Sequence, residues 1–247
     1  MSSDMFDDFK KEVDTAVKDI PQSEEAQVEV DERVERWKAK RIGLITASAL
    51  DKLMTLDKKG HVKTKAGIDY LLEIMHERQT GYDEQEAFAK AFEWGHNYEE
   101  EASTYYNRVT GNNALSGTYG FNDILFRTPI EGFGDSPDGV TGDEVGVVEI
   151  KCPYNGANHL RNCALNGYYE GLDYFWQIMG HMIYDKVQWC DFVSYDPRYK
   201  DGDPNKIKII RINKVDVQPR IDEVITKIEY WNRLINEGNI IKIIEEA

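Results

Sequence analysis

The chain has 247 residues, of which 41% are hydrophobic and 30% charged, and it carries a formal net charge of −15. This composition belongs to a globular protein long enough to bury a sizeable core. No apolar run nears the roughly 20 residues of a membrane span, and the N-terminal MSSDMFDDFKKEVD lacks the basic and apolar regions of a signal peptide.

Three cysteines, Cys152, Cys163 and Cys190, form no CxxC pair and are too few for a four-cysteine iron–sulfur cluster. Reduced thiols and a cytoplasmic location are the expectation. The charge is unevenly spread: residues 1–32 hold eleven acids and three bases, whereas residues 33–66 hold ten bases and three acids. The distribution therefore says more about partners than the sum does.

In chain order, Met5, Phe6, Phe9, Val13, Val17 and Ile20 recur at helical spacing until Pro21, which predicts an acidic helix over about residues 4–19. The polar stretch 22–29 reads as a linker. Residues 1–30 are thus expected to be an appendage to a main domain of residues 31–247. In DERVERWKAKRIGLITASALDKLM, Val34 and Trp37 mark one helical face, Gly43 breaks it, and Ser48 with Asp51 resembles a capping box that starts a second short helix. The hydroxyls of Thr46 and Ser48, the free N–H groups of that helix start and the upstream Arg41 would make a phosphate pocket. The same residues also read as a capped helix with surface arginines. The basic loop LDKKGHVKTKA at 56–66 is either a solvated loop or a rest for a nucleic-acid backbone.

A helix is predicted from about residue 65 to 78, stopping near Gly81. A longer one covers EQEAFAKAFEWGHNYEEEASTYYNRVTG, closed by Gly111, with Phe88, Phe92, Tyr98, Ala102, Tyr105 and Val109 as its buried stripe. Glu99, Glu100 and Glu101 point to different sides of such a helix, and only one can face a site. Glu99 neighbours the aromatic stripe and is the one expected inward, where a charged group needs a partner such as a metal.

After a strand region at 111–134 comes GDSPDGVTGDEVGVVEIKC, residues 134–152. Thr141, Gly142, Asp143 and Glu144 read as a turn, and the β-branched run 145–152 as a strand. On that strand Glu149 and Lys151 share a face while Ile150 points to the other layer. Asp138, separated from Glu149 by ten intervening residues, completes a PD-x10-E-x-K pattern. If Asp138 sits opposite on a preceding strand, two carboxylates and an ammonium converge, a hard-oxygen set that suits Mg²⁺ or Mn²⁺ acting on a phosphodiester; the Gly-Asp and Pro-Asp dipeptides also read as ordinary turns.

The rest of the chain predicts a short helix at 158–165 and an apolar helix at 173–186, with Tyr174, Ile178, Met182 and Ile183 inside and Gln177 beside them. Strands at 189–195 and 206–211 follow, then an amphipathic helix at 217–234. Helices around a central set of strands indicate an α/β or α+β fold with a mixed sheet. There is no GxGxxG, Walker A, HExxH or GxSxG motif, and the five histidines show no ligand spacing.

Taken together, Trp37 with RIGLITAS (41–48), EWGHNYEEEA (93–102), SPDG (136–139), VVEIKCPY (147–154), Gln177 and YDPR (195–198) resemble, in order, the lambda-type exonucleases of phage recombination systems, a viral recombinase family within the PD-(D/E)xK nucleases. The resemblance covers roughly residues 33–200 and implies a restriction-endonuclease-like core with helices flanking a central mixed β-sheet. It implies that Asp138, Glu149 and the Ile150 carbonyl hold metal, joined by Glu99. Lys151 would orient or help deprotonate the attacking water, and Gln177 would position water or a metal-bound group. Arg41 and Ser48 would take a 5′-phosphate, with Ser136 at the scissile region beside them.

The implied cofactor is Mg²⁺, two ions per site, with Mn²⁺ able to substitute. The implied activity is 5′ to 3′ digestion of double-stranded DNA ends to 5′-mononucleotides, by a homotrimeric ring that works with a single-strand annealing protein and without a membrane. Two alternatives share these residues. One is a related nuclease of different polarity or an endonuclease, and the other a catalytically silent DNA-binding recombination adaptor.

Overall fold

The structure is a computed structural model that describes residues 24–81, 90–118, 120–121, 123–165 and 167–247, with the backbone alone for 24–31 and 90–97. The acidic helix expected at 4–19 and Phe88 lie outside the described residues, as does the side chain of Phe92. Helix α1, Glu24–Arg41, begins inside the stretch read as a linker and spans the boundary expected at residue 30. It is followed by a short strand β1, Ile45–Thr46, a 3₁₀ turn at Ala47–Ala49 and helix α2, Leu50–Met54.

Helix α3, Lys65–Thr80, starts where the Thr64 hydroxyl accepts from the Gly67 N–H at 3.1 Å and ends at Gly81, as predicted. Helix α4 is Lys90–Thr110. Strands β2 (Leu115–Ser116), β3 (Phe133–Gly134), β4 (Gly139–Val140) and β5 (Gly146–Lys151) follow. Helices α5 (Gly156–Ala164) and α6 (Phe175–His181) lead to β6 (Trp189–Tyr195) and β7 (Ile207–Asn213). The chain closes with α7, Lys214–Glu237, and α8, Ile240–Glu246.

The main sheet has five strands in the order β2-β4-β5-β6-β7, while β1 pairs in parallel with β3. All contacts in the main sheet are antiparallel except β5 with β6. That parallel pair needs a crossover, and α5 and α6 supply it. The fold is thus the expected mixed sheet flanked by helices.

Alternation along β5 separates two cores. Val147, with Cys190 and Phe192 of β6, packs beneath α2, α3, α6 and α7. Val148, Ile150 and Cys152 join Val193 and Tyr195 against Ala102 and Tyr106 of α4. Glu149 therefore emerges on the α6 side of the sheet.

Two local expectations fail for tertiary reasons. On α4 Ala102 is buried as expected, but Tyr106, outside the expected stripe, is buried too, while Val109 is 50% exposed. The Tyr106 hydroxyl donates to buried Asp191 at 2.7 Å and accepts from Asn112 at 2.6 Å, which satisfies a buried polar end that Val109 could not use. The capping box does not form either. Neither Thr46 nor Ala49, at the starts of the two turns, makes a side-chain cap, and the Ser48 hydroxyl lies 3.3 Å from that of Thr46.

Candidate active site

The hairpin of β4 and β5 sets Gly139 opposite Val148, so Asp138 lies just outside the ladder, beside Ile150. Its Oδ2 accepts from the Ile150 N–H at 2.7 Å. The turn after β2 holds it from behind: the Gly117 N–H donates to the Asp138 carbonyl at 2.8 Å. A Cβ at Gly117 would stand 2.1 Å from the Pro137 oxygen, so only glycine permits this approach.

Glu149 is fully buried and has both oxygens engaged. Gln177 donates to Oε1 at 2.6 Å, and the Lys151 ammonium pairs with the same oxygen. His181 Nε2 meets Oε2 at 2.7 Å. Gln177 and His181 stand four apart on α6, hence on one helical face, and each grips a different oxygen of one carboxylate. Burial pushes the Glu149 carboxyl up, yet Lys151 and His181 beside it outweigh this and hold it below the usual range. The ammonium of Lys151 also sits 5.0 Å over the Tyr174 ring.

Burial, then the Glu149 and Glu99 carboxylates, push Asp138 well above the usual carboxylate range. Glu99 reaches this group from α4. Burial raises it to about 7, with Lys151 opposing and Glu149 adding to the rise, and its Oε1 lies 3.5 Å from the Thr118 hydroxyl. Of its neighbours, Glu100 is exposed, while Glu101 accepts a short hydrogen bond from the Tyr195 hydroxyl.

The three carboxylates thus repel one another across a small volume, with Lys151 as their shared cation. Hard oxygens in excess of the nearby positive charge fit a divalent ion. Among the described residues, however, no group of three His, Cys, Asp or Glu side chains is placed to hold a metal as it stands. The hydrogen bonding explains why, since Lys151, Gln177 and His181 occupy the oxygens of Glu149. The Asp138 and Glu99 carboxylates beside Glu149 are the residues that could hold such an ion with it.

A cavity of about 250 Å³ opens from this cluster and is lined by Asp138, Gln177 and His181 together with Arg41, Ser48 and Ser136. Residues far apart in sequence meet here because of Gly180, whose added Cβ would lie 2.9 Å from Leu50 and 3.0 Å from Ala47. Its bare backbone lets α6 press on the 47–50 turn. The guanidinium of Arg41 stacks 4.3 Å from the Trp37 ring centre, and the Trp37 indole N–H donates to the Ser136 hydroxyl at 3.2 Å. Ser136 in turn donates to the Leu125 carbonyl at 2.6 Å.

The turn after Arg41 is fixed by α3. The Gly43 N–H donates to the buried Glu77 carboxylate at 2.8 Å, and Arg78 donates back to the Gly43 carbonyl at 2.7 Å. Much of the basic segment is engaged within the chain. Lys40 pairs with Asp123 at 2.6 Å, and Arg33 donates to the Thr118 and Phe121 carbonyls at 2.5 and 3.1 Å. Lys58, Lys59 and Lys63 stay exposed on the 56–63 loop.

Every sequence-predicted residue is accounted for. Asp138, Glu149, Lys151, Gln177 and Glu99 form one interacting group, and Arg41, Ser48 and Ser136 line the cavity it opens on; Ile150 contributes its N–H to Asp138. Sequence reading missed Asp135, His181, Arg127 and Glu77. His181 was one of five scattered histidines, and its spacing of four from Gln177 was the available signal.

Residues 36–186 match the YqaJ-like viral recombinase domain. The crystal structure of an alkaline exonuclease from Laribacter hongkongensis is similar at 30% identity and a TM-score of 0.67, over 86% of this chain and 97% of that one. The same enzyme in complex with dAMP gives 30% identity and a TM-score of 0.65, over 83% and 93% of the two chains. A phage-related exonuclease from Haemophilus somnus 129PT, at 16% identity and a TM-score of 0.55 over 79% and 96%, shares the fold. No curated protein matches the chain in sequence.

Proposed function

The chain belongs to the YqaJ-like viral recombinase family, and from that premise we propose that it is a divalent-metal-dependent exonuclease that digests double-stranded DNA ends 5′ to 3′ during phage-type recombination. One observation supports this reading above the others: Asp138 and Gln177, of the group built around Glu149 and Lys151, line the same cavity as Arg41, Ser48 and Ser136. A scissile phosphodiester beside Asp138 and a terminal phosphate beside Arg41 would then lie in the same cavity, on one strand. Release of a 5′-mononucleotide leaves a new 5′-phosphate for the same pocket. A nucleoside monophosphate, dAMP, is the molecule in complex with the Laribacter enzyme.

Asp138, Glu99 and Glu149, with the Ile150 carbonyl, would hold Mg²⁺, two ions per site, or Mn²⁺ in its place. Bound there, the metal lowers the pKa of water and neutralises charge on the phosphodiester. Lys151 keeps its proton at Nζ beside Glu149 and orients the attacking water. Gln177 spends its Nε2 on Glu149 and keeps that carboxylate aimed at the site. Arg41, over the Trp37 ring, would pair with a terminal phosphate, where charge-assisted pairs are strong. The exposed lysines of the 56–63 loop follow the backbone of the incoming duplex.

The same resemblance supports a closed ring of three copies around the duplex and an annealing protein that takes up the exposed strand in the bacterial cytoplasm. Duplexes labelled at either 5′ or 3′ end, digested with and without Mg²⁺, test the activity. Labelled mononucleotide released first from the 5′ end, in metal alone, is expected. Release first from the 3′ end, internal nicking, or no cleavage in any divalent metal would overturn the reading.

A further inference from the structure

Beyond the hairpin runs a chain of alternating charges that the nuclease reading leaves without a role. His181 Nε2 meets Glu149 Oε2 at 2.7 Å, and its Nδ1 meets Asp135 Oδ1 at 2.5 Å. Both partners are carboxylates that can only accept, so both ring nitrogens donate and the ring is an imidazolium locked in one orientation. Asp135 is locked in turn. Arg127 Nε donates to its Oδ2 at 3.0 Å, Nη2 makes a second and shorter contact there, and the two backbones exchange N–H to O bonds at 2.8 Å each. The guanidinium of Arg127 lies 4.8 Å from the Tyr184 ring centre.

Asp135, His181 and Glu149 are all within 1% of complete burial. Apolar residues of similar volume would fill that space at no loss of stability, because desolvating charges offsets most of what their pairing gains. The network is better explained by what it does to Glu149. One oxygen is fixed from α6 through a strut anchored two residues deep, and the other is left to Gln177 and Lys151 at the cavity.

We propose that His181 is a positioning residue of this nuclease, holding Glu149 in its metal-binding orientation through the Arg127–Asp135–His181 relay. The inference rests on the nuclease reading and extends it by three residues that act through Glu149. Partners of this kind, hydrogen-bonded behind a metal-binding carboxylate, are worth about 10- to 100-fold in metal affinity.

Mn²⁺ binding to the DNA-free full chain, followed by titration calorimetry and by the electron paramagnetic resonance of the ion, tests it in His181→Gln, Asp135→Asn and the control Glu149→Gln. Wild type should bind Mn²⁺ and Glu149→Gln should not. His181→Gln and Asp135→Asn should melt cooperatively and bind Mn²⁺ about 10- to 100-fold more weakly. Their single-turnover cleavage should recover as Mg²⁺ is raised, with duplex affinity in Ca²⁺ unchanged, a pattern that a general loss of structure does not produce. Cooperatively folded variants with wild-type Mn²⁺ affinity would overturn the inference while the nuclease reading stands. Wild-type binding by Glu149→Gln would overturn both. Should neither variant fold, ¹⁵N-histidine spectra of the wild type decide: a doubly protonated ring that shifts on Mg²⁺ addition supports the strut, and the absence of such a ring refutes it.

Discussion

Arg41→Ala separates recognition of the DNA end from folding. The guanidinium lies over the Trp37 ring, 4.3 Å from its centre, and Trp37 is also held by its bond to Ser136 at 3.2 Å. Truncation therefore removes a half-exposed cation–π contact worth about 0.5–1 kcal/mol and leaves the pocket wall standing. A hydrogen bond from a charged donor to phosphate contributes roughly 1.5–3 kcal/mol. At 1.36 kcal/mol per decade, its loss is about 10- to 150-fold in discrimination between phosphate and hydroxyl. The assay compares initial digestion rates on duplexes with 5′-phosphoryl and 5′-hydroxyl ends, for wild type and variant, beside thermal melting. Wild type should prefer the phosphoryl end, and the variant should lose that preference by the stated factor with a melting midpoint within a few degrees of wild type. A variant that keeps the full preference, or a wild type without one, places the phosphate elsewhere and refutes the role of Arg41.

Asp138→Asn should abolish metal-dependent digestion while the fold persists, because asparagine can still accept from Ile150 N–H and no longer faces the repulsion of Glu149 and Glu99; activity and melting measured on one sample check both halves. Lys151→Ala should lower single-turnover cleavage by about 10²–10³-fold, the cost of losing one positioned charged donor, with little change in duplex affinity in Ca²⁺, and the reverse pattern would leave Lys151 a phosphate anchor. The buried Asp135 is held at about 2: burial pushes it up, but His181 and Arg127 outweigh that. A depressed folded pKa stabilises above the ordinary carboxylate range, and that contribution is lost as pH falls toward 2. Asp135→Asn should therefore be less stable than wild type at neutral pH by on the order of 2 kcal/mol. The gap should close between about pH 4 and pH 2; urea unfolding across that range measures it, and a constant gap would contradict the pairing.

The local chemistry of the hairpin was readable because strand periodicity is local. Glu149 and Lys151 two apart must share a face, and a hairpin turn at 141–144 offers Asp138 a place beside them, which the Ile150 N–H then fixes. Helix α3, with Thr64 before it and Gly81 after it, was legible for the same reason. The ordered set of short motifs then pointed to the site residues that meet around one cavity.

Spacing could not say which side chains would be buried against one another across the fold. Tyr106 rather than Val109 faces the sheet because Asp191, 85 positions away, waits there for a donor. Ser48 lines the cavity without capping a helix, because Gly180 lets α6 settle on its turn. His181 looked like a stray histidine until the crossover between the parallel strands β5 and β6 laid α6 over Glu149. Sequence alone determined the hairpin and its acids, since those follow from dihedral periodicity and turn chemistry within a dozen residues. The relay behind Glu149 was decided only in the tertiary structure, since a buried charge must find its partner wherever packing places one.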